Sequence, residues 1–121
     1  MNEKRSFYAC LVDKEKNSIH VIGGSGDNGH LKSTEKWTFH KDLWVSGESF
    51  PEAIWASAAV SANSNDILAF LVAGATANGD TPKLWYLRRN MSWIEDGSRR
   101  IKTPRAYHTV VNMPGDQIPG C

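Results

Sequence analysis

The sequence has few of the residues that mark a secreted, fibrous or membrane-spanning protein. It contains two cysteines and five prolines in 121 residues, which is too few for a disulfide scaffold or a collagen-like fibre. No apolar run approaches the roughly 18 residues that a membrane-spanning helix needs, and the first residues lack the pattern of a secretory signal. We therefore expect a cytoplasmic protein with Cys10 and Cys121 as free thiols, and no membrane partner.

An excess of charge of one sign is also lacking. The formal net charge is +1, so no overall field attracts the chain to nucleic acid or to an anionic membrane. The one local basic stretch includes Arg99, Arg100 and Arg105. Because no aromatic platform for bases accompanies it, this stretch predicts a solvated loop and no nucleic-acid partner.

Regular helical periodicity is weak throughout the chain. Only residues 51–62, which are rich in alanine, have the composition of a helix. Elsewhere short apolar runs alternate with turn residues about every ten positions, which predicts many short strands in a sandwich, a barrel or a propeller. The predicted strands are residues 7–12, 19–22, 34–39, 43–45, 68–73, 84–87, 92–95 and 107–111.

The chain repeats itself with a period of about 50 residues. A strand that ends in glycine recurs, and so does a pair of aromatic residues with six residues between them. The segment that begins at Arg5 aligns with those that begin at Ile54 and Arg105. Such a period predicts a tandem array of four-stranded units. The recurring structural residues are Gly23, Gly24, Trp37 and Trp44 in the first copy and Gly74, Tyr86 and Trp93 in the second.

At these positions the sequence resembles the kelch repeat, which forms one blade of a β-propeller. The matching stretches are IHVIGG, WTFHKDLW, YLRRNMSW and TPRAYHTVV. The resemblance implies an all-β fold, an incomplete kelch-type propeller of four-stranded antiparallel blades. It divides the chain into a tail at 1–4, blades at 5–53 and 54–104, and the first strand of a third blade with a tail at 105–121.

Two residue types fit this interpretation on physical grounds. Inner strands of a propeller converge on a narrow axis, so the small residues 56–59 favour a strand over a helix. Tryptophan and tyrosine offer wide flat surfaces that fill the space between neighbouring blades. We therefore expect all five tryptophans to serve packing rather than ligand binding.

No motif predicts a catalytic, metal or cofactor site. Residues 24–29 match the glycine pattern of a dinucleotide-binding turn, but the segment that follows lacks the apolar stripe of the helix such a site needs. The glycine-rich pattern also recurs at Asn78-Gly79-Asp80. The four histidines share no metal-ligand spacing.

The loops after the second and fourth strands of each unit are expected to lie at one edge. These loops are residues 24–33, 46–53, 75–82 and 96–104, and loops on a rigid scaffold are frequent recognition sites. In ligand-binding kelch proteins the arginine that opens the inner strand often lies at that surface, so Arg5 and Arg105 are either binding or structural residues. The candidate partner-binding residues are Arg5, Asp27, Asn28, Asn78, Asp80, Arg99, Arg100 and Arg105.

The expected function is a non-enzymatic scaffold that binds another protein, as kelch-type substrate adaptors and cytoskeletal binders do. One alternative is part of a copper enzyme of the galactose oxidase type, and another is a small dinucleotide binder. Unpaired edges of the first and last strands also predict marginal stability and self-association.

Overall fold

The computed structural model describes residues 1–62 and 64–110, and every regular element within them is a β-strand. The prediction of an all-β chain is therefore confirmed. No helix that is long and apolar enough to cross a membrane occurs in these two ranges. The strands are β1 (Ala9–Asp13), β2 (Ser18–Ile22), β3 (Ser25–Gly26), β4 (Gly29–His30), β5 (Thr34–Thr38), β6 (Leu43–Ser46), β7 (Ala58–Ser61), β8 (Ile67–Thr76), β9 (Gly79–Arg88) and β10 (Trp93–Arg100).

The strands form two four-stranded antiparallel sheets and one small ribbon. Sheet 1 has the order β1-β2-β5-β6, and sheet 2 has the order β7-β8-β9-β10. The ribbon of β3 and β4 lies in the connection from β2 to β5. Each sheet therefore joins its strands in chain order, which is the simplest way to build an antiparallel sheet with short connections.

The core lies between the two sheets. In β1 the buried residues alternate with exposed ones, as a strand with one covered face requires, and β1 contacts β7 and β8. Phe50 and Ile54, from the connection between the sheets, are also fully buried. The other core side chains are Ala9, Leu11 and Ile22 from sheet 1 and Leu68, Ala69, Leu71, Trp85 and Leu87 from sheet 2.

Phe50, from the connection between the sheets, packs against sheet 2 through aromatic contacts. Its ring centroid lies 4.9 Å from that of Trp85 and 5.0 Å from that of Trp93, both in edge-to-face geometry. Burying such a ring contributes roughly 1.5–3 kcal/mol. Trp37 and Trp44, whose centroids are 6.5 Å apart, lie instead on the face of sheet 1 that points away from sheet 2.

Aligned positions at the start of each unit have the same backbone conformation. Phe7, Ala56 and Tyr107 have φ angles of 53°, 52° and 55°, which are uncommon for residues other than glycine. The amide of Ala56 donates to the carbonyl oxygen of Phe7 at 2.7 Å, and the amide of Tyr107 donates to that of Ala56 at 2.8 Å. The three segments therefore follow one another in the same relative arrangement.

Gly24, two residues after β2, and Gly74, within β8, also make matching contacts. The Gly24 amide donates to the carbonyl oxygen of Ile54 at 2.8 Å, and the Gly74 amide donates to that of Arg105 at 2.9 Å. Both glycines have positive φ angles, 102° and 116°. A Cβ on Gly24 would lie 2.6 Å from the carbonyl oxygen of Ser6, so the strand end admits glycine alone.

Three predicted loops are partly strand, and those predictions were wrong. Residues 24–33 include the ribbon of β3 and β4, residues 75–82 mostly continue β8 and β9, and β10 runs to Arg100 within residues 96–104. Cross-strand pairs such as Thr76 with Gly79 extend the hairpin to a tight turn. Polar residues are compatible with a strand wherever its side chains face solvent.

The strand predicted for residues 107–111 is absent from the described residues 107–110, and Val111 lies outside them. A strand needs a neighbour with which to exchange backbone hydrogen bonds. In the two sheets that neighbour is the next strand of the same unit. Residues 111–121, which include Cys121, also lie outside the described part of the chain.

Candidate functional site

Arg5 lies at the start of the first unit, where its guanidinium is completely buried. It donates to the carbonyl oxygens of Gly23 at 2.8 Å and Ser33 at 2.9 Å, and to the carboxylates of Glu35 and Glu3 at 3.0 Å each. These contacts fasten the strand end at Gly23 to the start of the chain. Of the two roles left open for Arg5, the geometry supports the structural one.

Glu35 completes this arrangement with an ionised carboxylate. Burial acts to raise the pKa of Glu35, but hydrogen bonds from the amides of Asn2 and Glu3 and from Arg5 outweigh it and hold that pKa below its ordinary value. Asn2 also donates from its side chain to the carbonyl oxygen of Trp44 at 3.0 Å. Residues 1–4, predicted as a tail, are therefore anchored to sheet 1.

The four candidate residues with carboxylate or amide side chains lie in two different hairpins. Asp27 and Asn28 form the exposed turn between β3 and β4. Asn78 is in the turn between β8 and β9, and Asp80 follows within β9. All four are exposed, so they are accessible to a partner.

The candidate arginines near the end of the chain are exposed as well, but two of them lie in a strand. Arg99 and Arg100 are in the edge strand β10, where Arg99 pairs with Asp96 at 3.5 Å and Arg100 with Glu95 at 3.3 Å. A hydrogen bond from the Ser98 hydroxyl lowers the pKa of Asp96. Arg105 lies outside the strands and donates to the carbonyl oxygen of Thr103 at 3.4 Å.

A group of aromatic side chains, absent from the sequence-based candidates, lies where the units begin. Phe7 is 57% exposed and Tyr107 is 71% exposed, and their rings meet edge to face with centroids 5.5 Å apart. Soluble proteins usually cover large apolar side chains of this kind, unless the surface has a partner. We name this group the aromatic rim; its members are Phe7, Tyr8, His30, Trp55 and Tyr107.

Backbone pairing holds the two halves of the aromatic rim together. Ser25 pairs with Ser6 on one side and with His30 on the other. The His30 ring stacks on Trp55, with centroids 3.5 Å apart and planes at 11°. The residue after Trp55 is hydrogen-bonded to the residues of the Phe7–Tyr107 pair, so both ring pairs lie on backbone segments that are hydrogen-bonded to one another.

The aromatic rim combines apolar area with a fixed backbone. Phe7 and Tyr107 both occupy the left-handed region, and backbone strain of this kind is frequent at binding sites. The sequence did contain a signal for the aromatic rim, because Phe7 and Tyr107 align in the repeat. Their exposure could not be read from the alignment, since aromatic residues were expected to pack between sheets.

The remaining chemistry of the described residues is sparse. Within residues 1–62 and 64–110, no three His, Cys, Asp or Glu side chains are grouped so as to hold a metal ion. An open cavity of about 550 Å³, lined by residues that include Asp66, Tyr86 and Arg89, lies between the start of β8 and the turn that joins β9 to β10. The copper-enzyme alternative stays an untested prediction.

The aromatic rim is thus the best-formed candidate site in the described part of the chain. None of its five members is among the predicted partner-binding residues. The predicted residue Arg105 lies two positions before Tyr107 in the sequence. No protein-family model matches this sequence, so the resemblance to the kelch repeat rests on the residues quoted for it.

Proposed function

We propose that this chain is a protein-interaction module built from kelch-type blades, and that it binds a partner protein through the aromatic rim. The observation that carries the proposal is the exposure of Phe7 and Tyr107, which are in contact with each other on strained, hydrogen-bonded backbone. A pre-organised aromatic surface loses little conformational freedom on binding. Aromatic residues and arginine are also enriched where proteins bind one another.

The kelch-type arrangement is supported by the matching contacts at the start of each unit. The amide-to-carbonyl bond from Ala56 to Phe7 has its counterpart in the bond from Tyr107 to Ala56. Two sheets with the same strand order accompany these bonds. Consecutive blades of a propeller are related by one repeated rotation, which produces such recurring contacts.

The test begins with partners captured on the intact chain and identified by mass spectrometry, followed by binding measurements between purified proteins. In the test variant, Phe7→Asn and Tyr107→Asn are combined. Asparagine tolerates the left-handed backbone, so the change removes the rings and keeps the local fold. We expect the affinity for a rim-binding partner to fall by roughly 30-fold or more, as for the loss of a central aromatic anchor.

Leu43→Ala is the matched control, because Leu43 is an exposed apolar residue, 54% accessible, in strand β6 of sheet 1. It should bind the same partner with unchanged affinity. A partner that binds the Asn double variant as tightly as the original chain would place the interaction elsewhere and contradict the proposal. Circular dichroism of both variants establishes that each is folded.

A further inference from the structure

Each sheet has two faces. One face of sheet 1 and one face of sheet 2 cover each other, and the other face of each sheet is open. Cross-strand pairing places Val12, Ile19, Trp37 and Trp44 in one row across sheet 1, on the face away from sheet 2. We name these four residues the front row of sheet 1. In sheet 2 the positions that correspond to them by strand pairing are Ser61, Ala69, Leu87 and Trp93. Trp37 therefore corresponds to Leu87 and not to Tyr86, with which the sequence repeat aligned it, because β9 and β10 pair one residue out of that register.

The aligned row of sheet 2 is covered by sheet 1. Ala69 and Leu87 are 0% and 2% exposed and belong to the core between the sheets, with Trp93 packed against it. Corresponding rows of the two sheets therefore differ in their surroundings: the row of sheet 2 is buried in the interface, and the row of sheet 1 is an open surface. Val12 is 46% exposed, and Phe39, which contacts Trp37 with ring centroids 4.4 Å apart, is 54% exposed.

The other open surface is the opposite face of sheet 2. Its residues align with the row of sheet 1 that faces sheet 2, which runs from Leu11 to Val45. The row of sheet 1 includes Lys36, but the open row of sheet 2 contains no charged residue, and all its members are half-buried. We name it the back row of sheet 2; it consists of Val60, Phe70, Tyr86 and Ile94, paired in that order.

We propose that a second copy of this chain binds head to tail, with its front row of sheet 1 against the back row of sheet 2. By position in the strand order, the two open surfaces correspond to the two halves of the interface that joins sheets 1 and 2. Both are apolar and aromatic, so their contact removes comparable surfaces from water. A contact between different surfaces of identical chains continues into a ring or a filament unless the last surface is blocked.

The segment of residues 105–108 is where the arriving copy must be accommodated. It is held against sheet 2 by the bonds from Gly74 to Arg105 and from Tyr107 to Ala56, and by His108 at 2.9 Å from the Val72 carbonyl oxygen. The aligned residues 5–8 of the second copy have the groups to make the same backbone bonds. Residues 105–108 are not part of a strand, so no strand is lost when they are displaced. The backbone hydrogen bonds that they give up are replaced by those of residues 5–8 of the second copy.

The experiment measures the mass of the intact chain by sedimentation over a wide range of concentrations. We expect dimers and larger species whose average mass rises with concentration. Trp37→Glu places a charge in the front row of sheet 1 and Phe70→Glu places one in the back row of sheet 2. Each variant alone should sediment as a single chain.

An equal mixture of the two variants gives the decisive result. The Trp37→Glu chain keeps its back row and the Phe70→Glu chain keeps its front row, so the mixture should form dimers and nothing larger. Val45→Glu is the control, because Val45 is exposed but belongs to neither open row, and it should associate like the original chain.

Two results overturn the proposal: an original chain that stays monomeric at every concentration, as expected if another protein or further blades cover these faces, or a Phe70→Glu chain that still dimerises through two front rows. If circular dichroism shows Trp37→Glu unfolded, Val12→Glu replaces it, since Val12 is already 46% exposed. Binding of the second copy would displace Tyr107 of the aromatic rim, so separate variants test the two proposals. The front-row and back-row substitutions test self-association, and the variant that combines Phe7→Asn with Tyr107→Asn tests partner binding.

Discussion

His20 is a buried ionisable side chain whose neutral form stabilises the fold. Burial, and then the charge of Lys36 opposite it in β5, lower its pKa from 6.5 to about 4, although Asp13 acts to raise it and Lys16 adds to the lowering. Its ring lies 3.3 Å from the Ser18 hydroxyl within β2. A neutral imidazole is therefore part of the native core at neutral pH, and protonation acts against folding.

The consequence is a pH dependence of stability with a defined direction. The unfolded chain takes up a proton at His20 below pH 6.5, whereas the folded chain does so only near pH 4. The free energy of unfolding should therefore fall by about 3 kcal/mol as the pH falls through this window. Urea unfolding of the original chain and of His20→Gln measures it, and the variant should lose this part of the slope.

His40→Gln is the matched control for the histidine, because His40 is exposed. It should keep the pH dependence of the original chain. Glu35, whose pKa is lowered in the folded state, adds a further loss of stability as the pH falls below 4.5, and both variants should retain it. An unchanged slope between pH 6.5 and 4 in His20→Gln would contradict the assignment to His20.

At the scale of the element, the glycine at the end of β2 decides how closely the next segment can approach. Gly24 has a φ of 102°, and a Cβ there would lie 2.6 Å from the Ser6 carbonyl oxygen. Gly24→Ala should therefore reduce the free energy of unfolding by about 2–4 kcal/mol, from backbone strain and overpacking together. Chemical denaturation of the purified variant measures this loss.

Gly97→Ala provides the comparison within the same chain. Gly97 lies in β10, where a Cβ would meet nothing within 4 Å, so this change should be neutral or slightly stabilising. Equal effects of the two alanine substitutions would mean that close approach at Gly24 is unimportant for the fold.

The same elements show what the sequence could and could not predict. The glycines and the small residues of β7 follow from local geometry, so strand positions were largely predictable. The extension of the hairpin through Ala75 and Thr76 depends on pairing with β9, which no local pattern encodes. The exposure of Phe7 and Tyr107 likewise depends on contacts between segments far apart in the sequence, so the sequence did not predict these two residues as a candidate site.

At the scale of the whole molecule, the two sheets share one core instead of each having its own. Phe50 is 1% exposed and inserts from the connection after sheet 1 against Trp85 and Trp93 of sheet 2. An ion pair between Glu15 and Arg89, at 2.8 Å, adds a second link, between the β1–β2 turn and the β9–β10 turn. Such an arrangement predicts a single cooperative unfolding transition.

Phe50→Ala tests this cooperativity. Removing the buried ring should cost about 3–5 kcal/mol, which is a large fraction of the roughly 5–15 kcal/mol that stabilises a typical domain. Because both sheets depend on the same core, the hydrogen-exchange rates of amides in β2 and in β8 should increase by the same factor. Phe39→Ala is the control, because the Phe39 ring is 54% exposed. It should increase the hydrogen-exchange rates of both sheets much less. Faster exchange in one sheet alone would show that the sheets unfold independently, since only a shared core transmits the loss of Phe50 to both.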